Sequence, residues 1–335
     1  MKLSVRILLC AVAALMILAL PFAVPSGSML EEYQDTWADQ AWDSGLMRLL
    51  VPSACAEESE TETSYSLPID FSAGMEPNPD AYTEDGYQDD SLTIKLETRE
   101  EEGVTWRIAY VQIRDASQLR TGIAGSKVTS NRSTYISAMA KEYNAVLAIN
   151  GDYFADQETK KTYEIRMGQT RKAKTNKKKD ILFIDENGDF HLFIKSDKTE
   201  MAAFSASSLQ VINAFTFGPA LVKDGQLLTV DKEYGYNPNG KEPRMAIGQV
   251  DQLSYVVALA EGRSSTSDGV TQQALADFMY NELHCVQAYN LDGGNSATMI
   301  FNGEYYQTGR TINNERQQSD FIYFATAVDP ETWSN

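Results

Sequence analysis

Histidine is nearly missing from this chain: there are two, His191 and His284. Neither lies in a pattern that a Ser-His-Asp triad would need. Cysteine is almost as scarce, with Cys10, Cys55 and Cys285, no CxxC pair, and Cys10 inside an apolar run. A zinc site built from Cys and His is therefore poorly supported. GxGxxG and Walker-type loops are absent, and Gly122–Lys127 lacks the spacing of the latter. Basic residues are missing from 57–90, a stretch that holds eleven Asp or Glu. The net charge of -18 is thus unevenly placed: residues 91–335 hold 31 acids against 26 bases. With no net basic face, the composition argues against a nucleic-acid partner.

What is present begins with Lys2 and Arg6 ahead of Ile7–Val24, eighteen residues without a charge. A positive flank before an apolar run marks an export signal or a single membrane span. Residues 1–28 are expected to be a signal peptide or membrane anchor, with the rest extracytoplasmic, either secreted or held at the membrane. Ala54-Cys55-Ala56 invites a lipoprotein reading, but Pro52-Ser53-Ala54 is a poor lipobox. Residues 29–90 read as an acidic, largely disordered linker, because so polar a segment buries too little apolar surface to offset its ordering entropy.

The folded region is expected over 91–330. Val104–Ile113 has the pattern of a strand, and Tyr135–Tyr143 has helical spacing with Ser133 or Thr134 as cap. Ala145–Ile149 is a continuous apolar run, as in a strand covered on both faces. Hairpins are expected around residues 186–189, at Asp224-Gly225 and at Asn302-Gly303. Thr271 can cap a helix whose Leu275, Phe278, Met279 and Leu283 share one face. Many strands, several in hairpins, with two or three helices predict a single α+β domain with a mixed, mainly antiparallel sheet and a few packed helices. Between them, residues 158–180 carry a basic patch that includes Arg166, Arg171, Lys172, Lys174, Lys177, Lys178 and Lys179. It reads as a solvated hairpin tip or as an attractor of an anionic polymer.

Several apolar strands break into polar residues: Asn150-Gly151-Asp152, Pro243-Arg244, Glu261-Gly262-Arg263 and Asp292-Gly293-Gly294, while Ser319-Asp320 precedes a strand. Carboxylates with arginines and no useful histidine suit chemistry at a sugar or a phosphate. Paired carboxylates serve glycoside hydrolysis, and guanidinium forks match phosphate oxygens. The same residues have bland readings as ion pairs and turn caps.

Four of these segments, Ala148–Phe154, Pro243–Gly248, Glu261-Gly262-Arg263 and Asn290–Met299, occur in the order that resembles the phosphodiester glycosidase family. Arg316-x-x-Ser319-Asp320 is similar to its closing motif. Asp152 stands where many members have a second glycine, and Asn295 where glycine or serine is frequent. The resemblance spans roughly residues 100–328 and implies hydrolysis of a sugar-1-phosphodiester, such as an N-acetylhexosamine-1-phospho group on an envelope or extracellular polysaccharide. The residues themselves suggest Asp292 as the leading carboxylate, with Asp152 or Asp320 as the second. Substrate contacts are expected from Asn150, Gly151, Arg244, Glu261, Arg263, Gly293, Gly294, Asn295, Ser296 and Thr298. No cofactor or metal ligand is expected on this reading. Two alternatives stand beside it: a phosphodiesterase using calcium or magnesium on hard oxygen ligands, and a non-catalytic binder of phosphorylated envelope polysaccharide.

Overall fold

The computed structural model describes residues 64–125, 132–153 and 160–333. The expected signal or anchor, the linker up to residue 63 and Phe154 lie outside the described residues. These described residues belong to one compact unit. The α+β expectation holds: every strand pairing among the described residues is antiparallel, and the strands divide among three sheets of nine, five and five.

The nine-stranded sheet is built on Leu92–Glu101, Val104–Ile113, Ser254–Ala260, Arg244–Asp251 and Gln287–Leu291 in that spatial order. Ser254–Ala260 is almost wholly buried because both sheet faces are covered. On one side Ala246, Val256, Ala258 and Trp106 pack under the helix Gln272–Asn281, with Trp106 stacked on Phe278 at 3.7 Å between ring centroids. That helix forms as its spacing predicts: Thr271 accepts from the Ala274 amide at 3.0 Å, and Leu275, Phe278, Met279 and Leu283 are buried. The opposite face contributes Val111, Met245, Val257 and Leu291 to the main core, which also takes Leu147, Ile149 and Ile322 from the sheet centred on Leu147–Asn150.

In that second sheet, Leu147–Asn150 lies between Met299–Phe301 and Asp320–Phe324. The third sheet contains Ile181–Asp185, Val211–Phe215, Tyr163–Arg166 and Gln169–Ala173. The Asp224-Gly225 and Asn302-Gly303 turns both have positive φ at both residues, the geometry that follows the twist of a two-residue hairpin.

Two expectations need correcting. The helix Ile136–Glu142 has no side-chain cap from Ser133 or Thr134. Instead the carboxylate of Glu315, far along the chain, accepts the Ser137 amide at 3.1 Å and its hydroxyl at 2.6 Å. The described part of the acidic segment, residues 64–90, is not a linker but part of the domain. Gly86–Gln88 pairs with Leu92–Glu101, and Leu67 and Tyr87 are buried. Fully buried Arg120 donates to the carbonyls of Pro68, Asp70 and Ser72. Asp89 takes the amides of Ser91 and Leu92 at 2.8 Å each. A few apolar anchors and satisfied backbone groups thus order a segment whose composition alone suggests disorder.

Candidate active site

The ends of two strands from different sheets meet at Asn150 and Asp292. The Asn150 side chain is fully buried and donates to the carbonyls of Asp292 at 2.8 Å and Gly151 at 3.2 Å, while its oxygen accepts the Thr298 amide at 3.1 Å. The Asp292 amide in turn donates to the Gly151 carbonyl at 3.3 Å. Asn150 is therefore the clamp that joins the two motifs. It has no surface left for a sugar hydroxyl, contrary to the role expected for it.

After Asp292 the chain turns against the backbone of Pro243. A side chain at Gly293 would place its first carbon 2.6 Å from the Pro243 carbonyl oxygen, so the position has room only for glycine. The Gly294 amide donates to that same carbonyl at 2.8 Å. This holds Asp292 just below the surface, 8% exposed, with one carboxylate oxygen accepting the Gly293 amide at 2.9 Å and the other enclosed. Gly293 and Gly294 are half-buried and Asn295 is exposed, so a solvent-accessible ledge follows the carboxylate. Ser296 and Thr298 lie beneath that ledge, fully buried. Ser296 accepts from Arg316 at 3.3 Å, and Arg310 donates to the carbonyls of Asn295 and Ala297. These two arginines stiffen the ledge from below.

The two arginines expected to grip phosphate have opposite fates. Arg263 has a half-exposed side chain lying over Gly294, with Nε 2.6 Å from Glu242 and Nη1 2.9 Å from the Asn295 side-chain oxygen. The bond from Arg263 holds the Glu242 carboxyl below its ordinary pKa. Arg244 instead is buried and donates to four backbone carbonyls, those of Val270, Tyr236, Asn237 and Gly240. Burial lowers it to about 10, so it remains a cation at neutral pH. Its function is to fold the 236–240 loop over the strand end. Glu261 is also structural: it accepts from Arg107 at 2.7 Å and from the Thr308 amide at 2.8 Å, tying down the neighbouring loop.

Asp152 and Asp320 are brought together, but behind the ledge. Both are buried and both lie 3.2 Å from the guanidinium of Arg166, itself fully enclosed. Asp152 also accepts the amides of Thr216 and Phe217. Asp320 accepts Lys161 Nζ at 2.5 Å, and its Oδ1 lies so near Gly151 that a side chain there would come within 2.6 Å. Burial pushes the Asp152 carboxyl up to about 6 against the pull of Arg166 and Lys161. For Asp320 burial acts the same way, yet those two cations and their hydrogen bonds outweigh it and hold the carboxyl below its ordinary value. The pair supports the strand ends through Arg166 and is enclosed more fully than Asp292.

One wall of the site was not foreseen. The 236–240 loop that Arg244 holds carries Tyr236, whose hydroxyl donates to that of Tyr153 at 3.1 Å and whose ring stacks on Phe217. Burial raises the Tyr236 hydroxyl, and the nearby Asp292 and Asp152 charges push the same way. Lys179 sits with its ammonium 4.3 Å from the Tyr236 ring centre and 5.1 Å from that of Tyr234. Burial lowers this amine to about 8. Tyr236 belongs to an irregular Tyr-Gly-Tyr-Asn-Pro stretch, and only that pair of tyrosines hinted at it. Lys179 was concealed within a run of lysines.

The comparisons with known proteins bear on the family and the fold. The profile of a family described as phosphodiester glycosidase matches residues 143–325, which include both strand-end motifs. The SPbeta prophage-derived uncharacterized protein YomE of Bacillus subtilis (strain 168) is 31% identical over 181 residues, 53% of this chain and 27% of that protein. The chain thus matches about a quarter of that relative's length. Among solved structures, the catalytic domain of zebrafish N-acetylglucosamine-1-phosphodiester alpha-N-acetylglucosaminidase, auto-inhibited by its pro-peptide, superposes with a TM-score of 0.55 at 16% identity, covering 75% of this chain and 86% of that one. A hypothetical protein from Synechocystis gives 0.48 at 14% identity, covering 70% and 62%.

Proposed function

The chain belongs to the phosphodiester glycosidase family, and from that premise we propose that it hydrolyses a sugar-1-phosphodiester on an envelope or extracellular glycan. The observation that carries this reading is the single ledge at whose start a carboxylate just below the surface, Asp292, is followed two residues later by a glycine lying under the half-exposed guanidinium of Arg263. A sugar-1-phosphodiester has its two reactive features in that order, an anomeric carbon and then a charged phosphate.

In this reaction the anomeric carbon–oxygen bond breaks, and the leaving group is a phosphate monoester. That group is already a weak base, so little protonation is required of the protein. Arg263 stabilises the charge that collects on the departing oxygens. Asp292 stabilises the oxocarbenium-like centre and attacks it or activates water. Tyr236 and Lys179 form the wall against which the sugar-phosphate lies. Asp152 and Asp320 position the strand ends through Arg166. The apolar Ile7–Val24 run behind Lys2 and Arg6 supports placing the activity outside the cytoplasm, with the chain either secreted or anchored.

The direct test is to incubate the full chain with UDP-N-acetylglucosamine and with other sugar-1-phosphodiesters, with and without EDTA, and to identify both products. A free reducing sugar released with UDP, or with a phosphate monoester from a simple sugar-1-phosphodiester, supports the proposal. A sugar that keeps its phosphate, with activity lost in EDTA, supports the calcium- or magnesium-dependent phosphodiesterase instead. That alternative must find its ligands elsewhere than Asp152 and Asp320, whose oxygens already receive Arg166, Lys161 and backbone amides.

The two arginines provide an internal contrast. Arg263→Ala should lower kcat/KM on a small sugar phosphodiester by about 10–100-fold, the worth of a charge-assisted hydrogen bond, with little change in stability. Arg244→Met should do the reverse in the first instance. It frees four buried carbonyls and should cost about 2 kcal/mol of stability, read by urea denaturation. Equal kinetic losses with unchanged stability in both variants would show that Arg244 touches substrate after all.

A further inference from the structure

Beyond the ledge, residues 160–179 carry nine Lys or Arg and a single acid, Glu164. The segment is not the free hairpin tip expected from its composition. Tyr163–Arg166 and Gln169–Ala173 form a hairpin at the edge of a five-stranded sheet. The stretch that follows is fastened to the body by Ser196, whose hydroxyl donates to the carbonyls of Asn176 at 2.9 Å and Lys179 at 2.8 Å. The Lys174 amide donates to the Thr162 carbonyl at 2.9 Å. Together these strands enclose an open hollow of about 790 Å³, lined by Lys161, Thr162, Lys172, Lys174, Asn176 and Lys177.

Two cations of the hollow, Lys174 and Lys177, stand outside its ion pairs. Glu164 is shared by Lys161, Arg171 and Lys172 at 3.4, 3.5 and 3.9 Å. Asp152 and Asp320 are committed to Arg166 and Lys161. Lys174 and Lys177 add two more cations on the rim, and neither has an ion pair within 4.0 Å among the described residues. On a chain of net charge -18, a preformed hollow that carries two lysines outside any ion pair among the described residues is a local well for anions. Its floor also reaches the ledge: Lys161 bonds to Asp320, Asp320 abuts Gly151, and Gly151 accepts the Asp292 amide.

We infer that this lysine-lined hollow is a second anion subsite, which takes a further phosphodiester of a glycan chain whose neighbouring sugar-phosphate lies on the Asp292 ledge. The inference rests on the reading of the ledge as a phosphodiester-cleaving site, and it names the substrate class: a chain with repeated phosphates rather than an isolated sugar-1-phosphodiester. Lys174 and Lys177 contribute charge, Asn176 and Thr162 contribute uncharged polar groups, and the anchoring through Ser196 reduces the ordering cost of binding.

The test measures binding and turnover separately on the full chain. Binding of poly(glycerol phosphate) is titrated for the parent and for Lys172→Gln/Lys174→Gln/Lys177→Gln, with Lys172→Arg/Lys174→Arg/Lys177→Arg as the charge-keeping control. The Gln variant, three positive charges poorer, should bind about tenfold or more weakly, and the Arg variant should bind like the parent. Hydrolysis of UDP-N-acetylglucosamine should be unchanged in both. Inorganic polyphosphate should compete in the parent and lose that ability in the Gln variant. Equal polymer binding by the parent and the Gln variant overturns the inference, as does single-stranded DNA binding the parent as tightly as poly(glycerol phosphate). If the parent binds the polymer through these lysines but cleaves no sugar phosphodiester, the catalytic reading fails and the anion subsite stands.

Discussion

Asp292→Asn should lower kcat on any sugar-1-phosphodiester that the parent hydrolyses by about 10²–10⁴-fold, the usual worth of a carboxylate acting as base or nucleophile. Substrate affinity should change little, because the phosphate is held by Arg263 on the ledge and not by the carboxylate. The substitution is a near-isostere. Asn keeps an oxygen able to accept the Gly293 amide, now 2.9 Å from the carboxylate. The turn is also fixed independently by Gly294 donating to Pro243 and by Asn150 holding the Asp292 carbonyl. The protein should therefore fold, which circular dichroism and the urea midpoint would confirm, and the loss should lie in kcat. Steady-state kinetics with product identification provide the measurement. Unchanged turnover in a folded Asp292→Asn protein would falsify the assignment of Asp292 and return the search to Tyr236 and Lys179. A rise in KM at constant kcat would make Asp292 a binding group only.

How far the sequence anticipates this site depends on the range of the interaction. Hairpins at Asp224-Gly225 and Asn302-Gly303 were legible because the required backbone angles are local and glycine declares them. The helix after Thr271 was legible for the same reason, since cap and periodicity lie within three turns. Asp292 could be read as a strand-end carboxylate, and Asn150 as its neighbour. What separates Arg244 from Arg263 is not local. Both follow a short polar break, yet one guanidinium is closed in by the 236–240 loop while the other stands over a glycine. No residue pattern near either arginine records that difference. Arg166 was hidden more thoroughly, a buried ion set among surface lysines, because its partners come from Asp152 and from Asp320, 154 residues away. The ordering of residues 64–90 depends in the same way on distant groups, chiefly Arg120 and Thr326.

That buried set gives the largest expected change in stability. Arg166→Leu should cost about 3–5 kcal/mol, since removing one partner leaves charges buried without compensation. Here one guanidinium bridges two carboxylates, neither more than 3% exposed, and donates as well to the carbonyls of Ile165 and Ala214. The loss should depend on pH, and its sign follows from the two shifts. Asp320 is held below its ordinary value in the folded protein, so its stabilising contribution is present above the unfolded value and disappears as pH falls through the folded one. Asp152 is raised to about 6, so its contribution is present at low pH and is lost as pH rises through about 6. Removing Arg166 shifts both carboxyls upward, Asp152 from its raised value and Asp320 from its lowered one, because its charge is the first influence opposing burial at each. The variant should then be rescued by protonation. Its deficit against the parent should be greatest near about pH 7.5 and clearly smaller near about pH 5, measured by urea denaturation at both. Adding Asp152→Asn to Arg166→Leu should recover part of the loss at the higher pH, since an amide still accepts the Thr216 and Phe217 amides without a buried charge. A deficit of equal size at both pH values, with no recovery in the double variant, would mean that Arg166 contributes through the packing of its stem on Phe215, 4.2 Å from guanidinium to ring centre, and not through the charges it holds.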